Sequence, residues 1–152
     1  MRFEQTGNIL KKLAPGYHLK VREYFQQFSE GEVSPRVRMM LDYLMDHEEL
    51  RARALAEFCE SAPKQVLDHW LKGLEVEFPK MVDDLLDDSC RYDLNELIRV
   101  AVTYKQALID YYQYAFEHAT DPKTSAMFEQ LKNQEDKAMK RLIRHAQGLA
   151  DL

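Results

Sequence analysis

Shifting the chain against itself by 87 residues pairs residues 6–55 with 93–142 without a gap, and twelve of the fifty pairs are identical. They are Asn8/Asn95, Leu10/Leu97, Ala14/Ala101, Tyr17/Tyr104, Tyr24/Tyr111, Gln26/Gln113, Glu30/Glu117, Pro35/Pro122, Met40/Met127, Leu44/Leu131, Glu48/Glu135 and Leu55/Leu142. Chance alone supplies about three matches in such a window. A repeat constrains the fold more than any single motif does, because two similar segments form two similar units that bury their apolar faces against each other.

The turn chemistry says what each unit is. Ser34-Pro35 and Asp121-Pro122 occupy matching positions in the two copies. Each places a side-chain oxygen at a helix N-cap and a proline at the first helical position, where its missing N–H costs nothing. Thr6 and Asp93 stand as caps at the starts of the copies, the second within Asp93-x-x-Glu96, the pattern of a capping box. Each copy therefore reads as helix, short turn, helix. The long helices fall at about 6–29, 35–60, 94–118 and 122–147, roughly 36 to 39 Å each. Pro15-Gly16 lies inside the first, where the ring meets a carbonyl of the preceding turn, so a kink or break is expected there.

Residues 61–92 join hairpin 6–60 to hairpin 93–147. They read as a short helix capped by Ser61, with Pro63 at its start and its end near Gly73, then Phe78-Pro79 and an acidic stretch from Asp83 to Asp88. A crossover this long can run the length of the bundle, which lets the second and third long helices lie parallel and relates the hairpins by a pseudo-twofold axis. The expected fold is an all-α four-helix bundle, one domain over residues 1–152. Only five Gly and five Pro in the chain agree with long helices rather than many-turned sheets.

Charge and cysteine usage narrow the function classes. Lys and Arg total 21 against 26 Asp and Glu, a net charge of −5, with no basic cluster to serve as a nucleic-acid footprint. Cys59 and Cys90 are too far apart for C-x-x-C chemistry, and Met1-Arg2-Phe3-Glu4-Gln5 does not open a signal peptide. No apolar run approaches the ~20 residues of a membrane span. A soluble protein of the reducing cytoplasm is expected, with no nucleic acid or membrane as partner.

The helical period places polar groups in the core. At about 100° per residue, Val37, Leu41, Leu44, Ala52 and Leu55 of the second helix surround Glu48. Phe128, Leu131, Met139 and Leu142 of the fourth surround Glu135 in the same way. The stripes of the first and third helices centre on Tyr17, Val21, Tyr24, Phe28 and on Tyr104, Leu108, Tyr111, Ala115. Tyr17, Tyr104, Glu48 and Glu135 each lie halfway along their helices, so the pseudo-twofold gathers them into one central layer.

This layout resembles the ferritin-like superfamily, in particular its rubrerythrin-like branch, over roughly two-thirds of the chain. The resemblance implies a di-iron site in which the first and third helices each give a Glu and the second and fourth each give Glu-x-x-His. Glu48 and Glu135 match the motif glutamates, but the histidine positions hold Arg51 and Ala138. The carboxylate positions of the first and third helices, seven residues before Tyr24 and Tyr111, hold Tyr17 and Tyr104, or His18 and Lys105 if the register slips by one. Two carboxylates beside an arginine supply too little anionic oxygen and imidazole for two irons. The expectation is a metal-free polar layer in which Arg51 bridges Glu48 and Glu135 while the Tyr17 and Tyr104 hydroxyls satisfy the remaining lone pairs. In the bland alternative Arg51 snorkels to solvent and the glutamates sit at helix seams.

Other candidates are weaker. His47-Glu48-Glu49-Leu50-Arg51 begins like H-E-x-x-H but has arginine in fifth place, so the second imidazole of a zinc pair is missing. His18, His69, His118 and His145 show no ligand spacing and read as surface or helix-end residues. Asp83, Asp84, Asp87 and Asp88 lack the glycine turn and terminal glutamate of a calcium loop and read as a solvated face. A second apolar stripe lies on the backs of the middle helices: Met39, Tyr43, Leu50, and Ile98, Val102, Ile109, Phe116. Their repeat partners are polar or small, so something covers them: Val66, Trp70, Leu71, Leu74 and Phe78 of the crossover, or a second copy of the chain. The functional expectation is a non-catalytic, dimeric binding or regulatory module without a cofactor. The alternative is a rubrerythrin-type metal-dependent oxidoreductase or iron-binding protein with an atypical site of Glu48, Glu135 and His18.

Overall fold

In the computed structural model, which describes residues 2–31, 33–74, 77–79 and 93–152, the chain opens as a strand, β1 (Arg2–Gln5), that runs directly into a long helix. This helix, α1, consists of one α turn (Thr6–Asn8), a π turn (Ile9–Leu13) and an α segment (Ala14–Ser29). Then come α2 (Pro35–Ser61), the short α3 (Lys64–Asp68), β2 (Trp70–Leu74), α4 (Leu94–His118) and α5 (Pro122–Ala150). The acidic stretch 83–88 and Cys90 lie outside the described residues.

The caps that set the hairpins are in place. Ser34 Oγ accepts from the Val37 amide at 3.2 Å, and Asp121 accepts from the Thr124 amide at 3.1 Å and its hydroxyl at 2.8 Å, each with proline next in sequence. Asp93 accepts from the amides of Asn95 and Glu96 at the start of α4. Thr6 is different. The strand delivers the chain to α1, the Thr6 amide donates to the carbonyl of His69 at 2.9 Å, and the threonine hydroxyl is buried rather than capping.

No break occurs at Pro15. One turn upstream, the Ala14 amide reaches back five residues to Ile9, and the wider π turn makes room for a ring that would otherwise strike the carbonyl four residues before it. The short helix also ends earlier than its sequence pattern indicates. It stops at Asp68, Ser61 belongs to the last turn of α2, and residues 70–74 form β2, antiparallel to β1 with Gln5 opposite Trp70 and Phe3 opposite Lys72. Gly7 sits where this ribbon and α3 meet α1. A Cβ there would lie 2.9 Å from the carbonyl oxygen of Leu67, so only glycine lets the two backbones approach.

Cross-hairpin contacts fix the directions of the helices. Tyr43 of α2 stacks on His145 of α5 with centroids 4.1 Å apart, and further along α2 Arg51 reaches Gln134 and Glu135. Helices α2 and α5 are therefore antiparallel, and α2 and α4 parallel. Among the described residues no helix is long and apolar enough to cross a membrane.

Among the described crossover residues, Phe78 sits elsewhere than expected. Phe78 packs edge-on against Tyr17 of α1 and Tyr111 of α4, with centroids at 6.0 and 4.7 Å, so it fills the seam between the first and third long helices and does not lie over the back of α2. Val66 and Leu71 are buried with the core, while Trp70 is half exposed. On the back of α4, Ile109 is buried and Ile98, Val102 and Phe116 pack partly against the core. On the back of α2, Met39 and Leu50 remain 49% and 60% exposed.

Candidate functional site

Four long helices each send one ionisable side chain to the same depth of the bundle: His18 from α1, Glu48 from α2, Lys105 from α4 and Glu135 from α5, all buried. His18 and Lys105 are themselves equivalent in the repeat, 87 residues apart. Lys105 Nζ donates to Glu135 Oε2 at 2.8 Å, Glu48 Oε1 at 3.3 Å and, in addition, His47 Nε2 at 3.0 Å. An ammonium has three hydrogens and no acceptor, so these three contacts use its full capacity and require the Nε2 of His47 to be unprotonated. His18 Nδ1 is bonded to Glu48 Oε2, and its Nε2 lies 3.5 Å from Glu135 Oε1. Arg51 Nε donates to Glu135 Oε1 at 2.8 Å and its Nη2 to Gln134 at 3.2 Å, with 16% of its side chain still exposed.

Each charge state follows from its neighbours. Burial pushes the Glu48 carboxyl up, but Lys105 and His18 outweigh it and hold the group at about 2. Burial likewise opposes ionisation of Glu135, and Lys105, His18 and Arg51 reverse that and keep it ionised. Burial disfavours charge on His18 and Lys105, yet the two carboxylates raise both groups above their ordinary values. His47 goes the other way: burial and the adjacent Lys105 ammonium lower it to about 4. Two histidines of one cluster are thus shifted in opposite directions, His18 up between carboxylates and His47 down against a cation.

The layer differs from its sequence-derived version in two respects. Arg51 does point inward, but of the two glutamates it reaches only Glu135; the groups that lie against both are Lys105 and His18. Tyr17 and Tyr104 are buried beside the layer, and the Tyr17 hydroxyl donates to the backbone carbonyl of Tyr104 at 2.6 Å, not to a carboxylate. His18, which reads from sequence as a surface or helix-end residue, is at the centre. The register is the slipped one. The tyrosines of α1 and α4 face the seam closed by Phe78, and that extra buried flank moves the stripe's apparent centre one residue away from the bundle axis. The sequence marked them only as the positions reached if the register slips by one, and His18 also as a ligand of the alternative site.

The donor set does not fit two iron ions. A di-iron centre of this bundle type uses four carboxylates and two imidazoles. Here two carboxylates remain, against a lysine, an arginine and an imidazole that the carboxylates favour as imidazolium. Among the described residues no group of three or more His, Cys, Asp or Glu side chains is arranged to hold a metal ion.

No protein-family description matches the chain, and no curated protein does. Among solved structures it is similar to a crystal structure of a protein from Thermotoga maritima, named as a ferritin-like diiron-carboxylate protein. The TM-score is 0.63 at 16% sequence identity, over 97% of this chain and 97% of that one. At this identity the likeness establishes the ferritin-like fold, which fold alone does not convert into an activity.

Proposed function

We propose that this chain is a non-catalytic ferritin-like bundle, a cytoplasmic binding or regulatory module that needs no metal cofactor and works as a homodimer. The observation that carries the reading is the Lys105 ammonium within hydrogen-bonding distance of both Glu48 and Glu135. Where the fold's iron proteins concentrate negative charge to hold cations, this chain supplies the cations from its own side chains. Dimerisation is supported by the outer face of α2, where Met39 and Leu50 stay exposed.

The name of the Thermotoga structure favours one rival, an iron-dependent oxidoreductase using Glu48, Glu135 and His18. Metal analysis of untagged protein, purified anaerobically without chelators, separates the two readings. The proposal expects less than one tenth of an iron per chain and no peroxidase turnover; stoichiometric iron with turnover that Glu48→Gln abolishes would establish the rival. For the dimer, light scattering on Leu50→Glu should show the mass of a monomer where the unaltered chain shows twice that, and equal masses would remove the interface from α2.

A further inference from the structure

We propose that the Lys105 ammonium occupies the position of a divalent cation, so that truncating this one side chain converts the layer into a metal-binding site. The inference rests on the metal-free reading above and extends it from a missing cofactor to a specific replacement. Three acceptors from two helices converge on Nζ: Glu135 Oε2 at 2.8 Å, His47 Nε2 at 3.0 Å and Glu48 Oε1 at 3.3 Å. Two carboxylate oxygens and one imidazole nitrogen are a donor set that suits a zinc ion, with water in the fourth position. In this chain the point they converge on is filled, and the filling group is positively charged. His47 completes the set by turning its Nε2 into the layer to meet the ammonium.

Charge makes the replacement self-consistent. Lys105 and Arg51 already balance Glu48 and Glu135, and His18, whose protonated form both carboxylates favour, adds positive charge beyond that. A divalent ion entering alongside Lys105 would face three cations with only two anions to offset them, and the ammonium already uses the lone pairs it needs. Remove the lysine stem beyond Cβ, and both the space and the acceptors become available while the other four side chains stay in place.

The test is a zinc titration of three proteins followed by thermal denaturation. Lys105→Ala is expected to be destabilised without metal and to recover with Zn2+, its folding equilibrium rising about a hundredfold when free zinc reaches one hundred times its Kd. The unaltered chain should show no such response. Lys105→Gln keeps the volume and donates to the carboxylates without a charge, so it should fold and also ignore zinc. If Lys105→Ala folds poorly alone, the same result appears as zinc-dependent folding. No zinc response in Lys105→Ala overturns the inference even when the unaltered chain is metal-free, and an equal response in all three proteins overturns it as well. Iron in the purified unaltered chain is a different outcome, which removes the proposed function itself.

Discussion

The two central histidines predict a stability optimum in pH, with a different residue responsible for each side. His47 is lowered from 6.5 to about 4, so below pH 6.5 the unfolded chain binds a proton that the folded chain refuses. Its contribution is fully present above pH 6.5 and is lost as pH falls toward 4. By pH 5 a shift of this size removes about 2 kcal/mol, and the partly wet ring lowers that to about 1 to 2 kcal/mol. His18 has the opposite sign. Its folded value is raised, so its contribution is complete below 6.5 and disappears as pH rises through that higher value. Glu48, held at about 2, begins to count only as pH falls below its ordinary 4.5, which leaves the window between 6.5 and 4.5 to His47. Urea denaturation followed by circular dichroism from pH 4.5 to 8.5 should give a maximum near 6.5. His47→Gln, which keeps an acceptor for Lys105 and cannot charge, should flatten the acid side and leave the alkaline side alone. An unchanged acid slope in that variant would refute the reasoning.

Other perturbations follow from the packing. The Tyr112 hydroxyl is buried and without a hydrogen-bond partner among the described residues, so Tyr112→Phe should raise stability by about 1 kcal/mol, and a loss in urea denaturation would contradict it. Ser34→Ala removes the N-cap of α2 and should cost about 1 kcal/mol with unchanged helix content by circular dichroism. Gly7→Ala brings a Cβ to 2.9 Å from the Leu67 carbonyl oxygen and should cost about 1 to 3 kcal/mol; a smaller effect would mean that α3 gives way easily.

The repeat made the bundle legible because capping and proline placement are local chemistry. Ser34-Pro35 and Asp121-Pro122 act within one turn, and the structure uses them as the sequence indicates. The β1–β2 ribbon was not legible, since four residues at one end of the chain pair with five some seventy positions later, and neither strand is long enough to show a clear alternation. Glu48 and Glu135 stood out because apolar residues surround them on a single face. His18 and Lys105 did not, since pattern reading counts a lysine as solvent-facing and a tyrosine as core. In this bundle both neighbours are buried, one toward the axis and one toward the Phe78 seam, and only the contacts of Phe78 separate the two directions. At Pro15 a kink or break was expected; the helix does not break, and its irregularity is a π turn that no residue pattern announces.

A buried ionic layer is a poor device for stability, and that gives the strongest test of whether this one is retained for another reason. Desolvating two carboxylates, a lysine and a histidine costs several kcal/mol per ion, which their mutual attraction only partly returns. Breaking the set therefore differs from replacing it. Glu135→Ala leaves Arg51 without its carboxylate and Lys105 and His18 with Glu48 as their one shared counter-charge, and should cost about 3 to 5 kcal/mol. The combined variant His18→Leu, Glu48→Met, Lys105→Met and Glu135→Leu, with Arg51→Gln at the rim, removes every charge of the layer at similar volume. It should be as stable as the unaltered chain or up to about 4 kcal/mol more so. If that variant is also strongly destabilised, the charges are worth more to folding than desolvation physics allows. If it is stable yet loses the dimer or a binding partner, the ionic layer positions the helices for recognition, because an apolar layer of the same volume can slide along the bundle axis while paired charges on four helices hold a single register.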